Sequence, residues 1–271
     1  MKKITLLISF FLITSGIYAQ FRKQELIDSL KNLPAFGIHK DNYFITGIPL
    51  HTGIDSNTAD AKYQISFKQL LFRNKVPNDS YFYLKYTQKA FWNIYEFSSP
   101  FKEINFNPGL GFSKFFYKDD IVKSQATLTL EHESNGRDSI YSRSWNFVSL
   151  EYNVALSKKL VGSIRGWLPF YYKDDNPDLM DYTGYGQLNF DYEFLPNKLY
   201  AQVMIQKGIS WDWKGATRTR ILYNPFNSTN QFLVLEWYNG YDENLLNYEE
   251  YRNMIRVGFV LKSDELNFLR K

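Results

Sequence analysis

The chain of 271 residues carries 32 Lys and Arg against 28 Asp and Glu, a formal charge of +4, and no cysteine. That balance excludes a nucleic-acid surface built on bulk charge. The missing cysteines exclude a disulfide framework, a thiol nucleophile and a lipidated N-terminal Cys. Aromatic residues make up 18% of the chain while mean hydropathy is negative, which suits strands with lipid on one side and a polar interior on the other.

The chain opens with Met1-Lys2-Lys3, an apolar run over 4–17 and Tyr18-Ala19-Gln20. Residues 1–19 read as a secretory signal cut after Ala19, too short and too early for a membrane span. No later apolar run approaches about 20 residues, so no transmembrane helix is expected. Residues 20–40 read as a periplasmic lead-in, with Leu26, Leu30 and Leu33 at helical spacing. Nothing rich in Pro, Gly or Ser interrupts residues 41–271 as a linker would, so they form one domain.

Strand-like segments then recur, bounded by Asn, Asp, Gly, Pro or Lys. They fall at 42–49, 62–72, 81–92, 105–117, 126–135, 144–156, 161–172, 184–194, 199–209, 217–223, 231–241 and 253–261. The fold class predicted is all-β: a twelve-stranded antiparallel transmembrane barrel of the outer membrane, with both chain ends periplasmic. Connections after even-numbered segments are mostly tight (157–159, 196–198, 227–230), and several after odd-numbered ones are longer (173–183, 242–251). Outer-membrane barrels keep short turns on the periplasmic side, which puts the loop after the fifth segment, with Arg137 and Ser142, at the cell surface.

In the fifth segment Leu128, Leu130, His132 and Ser134 share one face, and Thr127, Thr129, Glu131 and Glu133 the other. The apolar face of a barrel strand is the outside, so His132 and Ser134 point to lipid. In the sixth, Asn146, Val148, Leu150 and Tyr152 do the same. Closing the hairpin about Ser139 sets His132 opposite Asn146, with Cβ atoms about 5 Å apart. A His-x-Ser triplet alone is usually structural. Three polar residues together on a lipid-facing wall cost stability, which points to chemistry. The types are those of a serine hydrolase: Ser134 as nucleophile, His132 as base and acid, Asn146 orienting the imidazole, and a backbone N–H with a metal ion for the oxyanion.

The run His132-Glu133-Ser134-Asn135-Gly136-Arg137, with Ser142-Arg143-Ser144-Trp145-Asn146 at its offset, resembles the signature of bacterial outer-membrane phospholipase A. Tyr86-Thr87-Gln88-Lys89, Ser98-Ser99-Pro100-Phe101 and Asp174-Asp175-Asn176-Pro177-Asp178 extend the resemblance over most of the mature chain. The resemblance implies a homodimer that hydrolyses acyl esters of phospholipids and lysophospholipids when one Ca2+ is bound per active site. It implies the triad His132, Ser134 and Asn146, and calcium held by the Arg137 carbonyl, the Ser142 hydroxyl and Ser98 from the partner subunit, with waters. Asp175 matches an acidic residue of an alternative calcium site in the monomer. Gln88, an amide among outward apolar residues, matches the dimer interface, and monomers would idle for want of the partner's Ser98.

The chain departs from the family at Ser139, where an acidic residue is usual and Asp138 stands beside it. It also departs at its end, where Phe268 is followed by Leu269-Arg270-Lys271. His39 and His51 lack partners at metal-ligand spacing, and Trp211-Asp212-Trp213 reads as an interfacial anchor. The rival readings are a catalytically silent structural or pore-like barrel, its narrow interior plugged by Glu131, Glu133, Glu151 and Lys85, and a surface binding protein using the long loops.

Overall fold

The computed structural model describes residues 22–71, 77, 79–226 and 228–270. The expected signal, residues 1–19, lies outside the described residues, as do Phe72 and Asn227.

A helix α1 (Lys23–Asn32) comes first, its Leu26, Ile27 and Leu30 on one buried face. The Arg22 N–H donates to the Glu25 carboxylate at 3.2 Å and so satisfies a donor at the helix start. The strands follow: β1 (Phe36–Ile38), β2 (Asn42–Pro49), β3 (Asp60–Leu71), β4 (Ser80–Trp92), β5 (Phe101–Lys118), β6 (Ile121–Ser134), β7 (Ser144–Ala155) and β8 (Leu160–Phe170). A short helix α2 (Leu179–Thr183) precedes β9 (Gly186–Leu195), β10 (Leu199–Lys207), β11 (Gly215–Tyr223), β12 (Gln231–Gly240) and β13 (Arg252–Leu261).

Each strand from β2 to β13 pairs antiparallel with the next, and β13 pairs with β2, so twelve strands close into a barrel. Strand β1, within the expected lead-in, pairs with β3 at Gln69, Lys68 and Phe67, along the edge that β2 uses lower down. Closure leaves no unpaired edge, the condition for a sheet in lipid.

Alternation sorts every strand. In β12 Leu233, Leu235 and Trp237 are exposed, whereas Phe232, Val234, Glu236 and Tyr238 are buried. The outer wall is an apolar belt; the interior is polar and ion-paired. Lys62 meets Glu236 at 2.5 Å and Glu243 at 2.8 Å, Arg220 meets Glu236 at 2.6 Å, and Arg256 bridges Glu243 (2.6 Å) and Asp60 (2.7 Å). A second cluster joins Glu131 to Lys85 and Arg165. Buried charges persist only when paired in this way.

Two apolar clusters pack at the ends. At the short-turn end α1 and the C-terminal 3-10 turn Glu265–Leu269 pack Leu26, Leu30 and Leu269 onto Leu70, Tyr83, Phe115 and Val161. Phe268 therefore ends no strand; its ring lies 5.8 Å from that of Phe115. At the long-loop end, the connections over 171–185 and 241–251 bring Leu179, Met180, Leu245 and Tyr248 onto Trp145, Phe147 and Trp167. Between them lies a polar cavity of about 430 Å3.

Candidate active site on the outer wall

The β6–β7 hairpin runs in unbroken register from Ser124↔Val154 to Ser134↔Ser144, with His132 opposite Asn146 as the pattern predicts. Leu128, Leu130 and Leu150 are 49%, 51% and 55% exposed, against 6%, 2% and 1% for Thr129, Glu131 and Ser149. His132, Ser134 and Asn146 thus lie on the lipid-facing side, each half-buried. His132 Nδ1 lies 3.0 Å from Asn146 Oδ1. A carboxamide oxygen only accepts, so in the neutral imidazole this contact selects the tautomer with the proton on Nδ1 and the lone pair on Nε2. The Ser134 hydroxyl makes no hydrogen bond among the described residues.

The neighbours of this patch follow from register. On the outer wall Gln88 pairs with Phe106 and Phe106 with Ser134, so one aromatic side chain separates the amide from the serine. Phe170 stands opposite Asn146. The Gln88 amide is engaged within the chain: it accepts from the Tyr86 hydroxyl at 3.0 Å and donates to that of Tyr63 at 3.3 Å. It is therefore not an unpaired amide in lipid.

The hairpin loop is organised by Asn135, which is buried. Its Nδ2 donates to the Tyr141 carbonyl (2.8 Å), and its Oδ1 accepts from the N–H groups of Arg143 (3.0 Å) and Arg137 (3.3 Å). Its own N–H donates to the Arg143 carbonyl at 3.0 Å. Of the three N–H groups after Ser134 those of Asn135 and Arg137 are spent, while that of Gly136 makes no hydrogen bond among the described residues. Gly136 has φ +66, a left-handed conformation that glycine adopts without strain, and the ring of Phe106 lies beneath it. The Arg137 guanidinium folds back to Glu103 at 3.2 Å, leaving the backbone carbonyl as the group this residue can offer a cation.

The 171–185 connection reaches over the hairpin. Asp175 Oδ2 accepts from the hydroxyls of Ser144 (2.8 Å) and Ser142 (3.2 Å), and Asn176 Nδ2 donates to the Ser144 carbonyl (2.6 Å). Asp178 accepts from the Tyr248 hydroxyl at 2.5 Å, tying in the 241–251 loop. Burial first, and this contact to Asp178 next, push the Tyr248 hydroxyl up. Ser142 and Asp175, expected in calcium binding, are thus brought together. Ser98 is exposed at the β4–β5 tip with φ +66, and no hydrogen bond joins it to Ser142.

No group of three His, Cys, Asp or Glu suited to a metal occurs among the described residues. The oxygens that meet at Ser142 are instead the hydroxyls of Ser142 and Ser144 and the Asp175 carboxylate. Such hard oxygens fit a Ca2+ that keeps several waters. His39 and His51 are structural: His39 Nδ1 faces Glu265 at 3.5 Å and His51 Nδ1 lies 3.4 Å from the Asn253 carbonyl. Trp211 and Trp213 stand fully exposed on the 208–214 loop. The roles of Asn135 and Asn176 went unread in the sequence. The Asn-Gly pair at 135–136 was the available sign of a specified turn.

Fold and surface together define an integral membrane β-barrel with a Ser-His-Asn group on its lipid-facing wall. The chain belongs to the phospholipase A1 family, whose sequence model matches residues 34–261. It is 30% identical to phospholipase A1 of Escherichia coli strain K12 over 207 residues, covering 74% of this chain and 69% of that one. Two solved structures share the fold at 23% identity. One is the Salmonella typhi outer membrane phospholipase dimer with bound calcium, with TM-score 0.75 and coverage of 88% of this chain and 97% of that one. The other is an active-site Asn-to-Ala mutant of E. coli outer membrane phospholipase A, with TM-score 0.76 and coverage of 89% and 98%. The protein is an integral outer-membrane phospholipid ester hydrolase by family.

Proposed function

We propose that this protein is a calcium-dependent phospholipase A1/A2 and lysophospholipase whose active form is a homodimer and whose active site opens toward the cell surface. The observation that carries the reading is the 3.0 Å contact of His132 with Asn146 on the lipid-facing wall, two residues from Ser134. Ser134 Oγ attacks the acyl carbonyl, and His132 Nε2 takes its proton and returns it to the leaving alcohol. Asn146 holds the Nδ1–H so that Nε2 stays basic. Water, deprotonated by the same nitrogen, then releases the fatty acid. The unspent Gly136 N–H is available to the oxyanion. Outward Leu130, Leu110 and Leu168 give the acyl chain an apolar wall.

The Arg137 carbonyl and Ser142 hydroxyl, with Ser98 from the partner subunit, would hold one Ca2+ per active site, and Asp175 an alternative monomer site. The ion would supply positive charge near the developing oxyanion. Support comes from the oxygen-only donor set and from the calcium and dimer in the S. typhi relative. Gln88, one side chain from Ser134 on the outer wall, would lie in the dimer interface.

Fatty-acid release from phospholipid in detergent micelles, with calcium or chelator, tests the reading on the parent protein and Ser134→Ala. Release that needs both Ser134 and calcium is expected. No release from the parent would leave a silent barrel, and release indifferent to chelator would remove the metal.

A further inference from the structure

Strand β5 carries Pro108 in mid-sheet, next to the site but outside the triad. Its register with β6 is constant from Leu110↔Leu130 and Gly109↔Glu131 through Phe106↔Ser134, so Pro108 stands opposite His132. Within this run the ladder is interrupted at Asn107 and Pro108, apart from a bulge far off between Phe116 and Tyr117. Antiparallel partners alternate between pairs that exchange two N–H to O bonds and pairs that exchange none. A proline without an N–H breaks the ladder only where its nitrogen should donate, so the acceptor deprived is the carbonyl of His132.

Something else fills the gap. Asn107 Nδ2 donates to the His132 carbonyl at 3.0 Å. The Asn107 side chain is buried on the inner wall, and its Oδ1 accepts from Lys85 Nζ at 2.9 Å. Lys85 is paired with Glu131, and Glu131 with Arg165. A ladder bond, which any residue would have supplied, is replaced by a side-chain bond anchored in the interior ion cluster.

We propose that Asn107 is a positioning residue for His132, taking over the backbone bond that Pro108 cannot make and fastening the base to the Lys85–Glu131–Arg165 cluster across the barrel wall. This rests on His132 being the base. Asn107 touches neither substrate nor reacting atoms; it acts by fixing the backbone from which the imidazole projects toward Asn146 and Ser134.

The substitution P108A returns an N–H opposite the His132 carbonyl, so it can rescue a loss at Asn107. The experiment compares the parent, N107A and N107A/P108A for kcat and KM on micellar phospholipid. It also reads the His132 imidazole 15N resonances of the detergent-solubilised full chain. N107A is expected to lower kcat about tenfold, the rate equivalent of one lost hydrogen bond, with KM within about twofold. Its imidazole signals should show loss of the single Nδ1–H tautomer, and N107A/P108A should recover both. Should N107A fail to fold, N107D keeps an acceptor for Lys85 while losing the donor, and is read in the same way. Unchanged kcat and resonances in the Asn107 variant, or a double variant no better than the single, overturn the proposal. A parent without phospholipase activity overturns the catalytic reading instead, and the resonances still decide whether Asn107 positions His132.

Discussion

His132 Nδ1 and Asn146 Oδ1 meet 3.0 Å apart across directly paired positions of β6 and β7, so one hairpin sets the orientation of the imidazole. Asn146→Ala is expected to lower kcat about tenfold or more, since one orienting hydrogen bond is worth about 1 kcal/mol or more. Asn146→Asp keeps the acceptor and adds a charge favouring the imidazolium, so it should retain most activity at neutral pH. Initial rates in micelles check both; equal losses would remove the orienting role.

Ser98 lies exposed at the β4–β5 tip, and in the proposed dimer it would serve the partner subunit's site. Mixing Ser98→Ala chains with Ser134→Ala chains should restore activity. Random pairing gives about a quarter of sites an intact Ser134 and an intact partner serine. Activity of the mixture no higher than that of either variant alone would rule out sharing.

Glu243, on the 241–251 loop, is pushed up by burial but held lower still by Arg256 and Lys62, at about 2 against an ordinary 4.5. Its folded value lies below its unfolded one. Its stabilising contribution is therefore complete above about 4.5 and lost as pH falls toward 2. Thermal unfolding in detergent should show a melting temperature that drops over this window. Glu243→Gln should melt lower than the parent at pH 7 and depend less on pH below 4.5.

The apolar clusters at both ends bear on the pore-like alternative. Leu26, Leu30 and Leu269 pack at one end and Leu179, Leu245 and Tyr248 at the other, so the full chain should carry no ionic current in a planar bilayer. Deleting residues 264–271 alone should leave it closed, because the second cluster remains; steady conductance steps from the full chain would contradict this closure.

Much of the wall was legible because a strand in a barrel advertises its faces every second residue. Leu128, Leu130, Val148 and Leu150 all fall outward, and the hairpin closed as its symmetry about Ser139 predicted, so His132 and Asn146 could be paired in advance. The expected strands lie within a few residues of the observed ones; β6, at Ile121, and β5, at Phe101, begin furthest ahead of expectation. Contacts between residues far apart in the chain were not legible. Asp175 bonding Ser142 and Ser144 depends on how the 171–185 connection folds back. The reach of Asn107 to the His132 carbonyl needs the β5–β6 register, which no single strand's alternation reveals. Phe268 illustrates the same limit: it lies beyond the end of β13 at Leu261, and its contact with Phe115 depends on how the tail folds back.

The tail beyond β13 also spans the interior of the ring. Arg270 pairs with Asp191 of β9, and Glu265 meets Lys68 of β3 at 3.3 Å, so residues 265–270 touch both halves of the ring from within. Lys68 and Asp191 share one enclosure once β13 is paired with β2 and the circle is complete. The tail therefore acts as a strut inside the closed ring, tying β3 to β9 across the interior by one ion pair at each end.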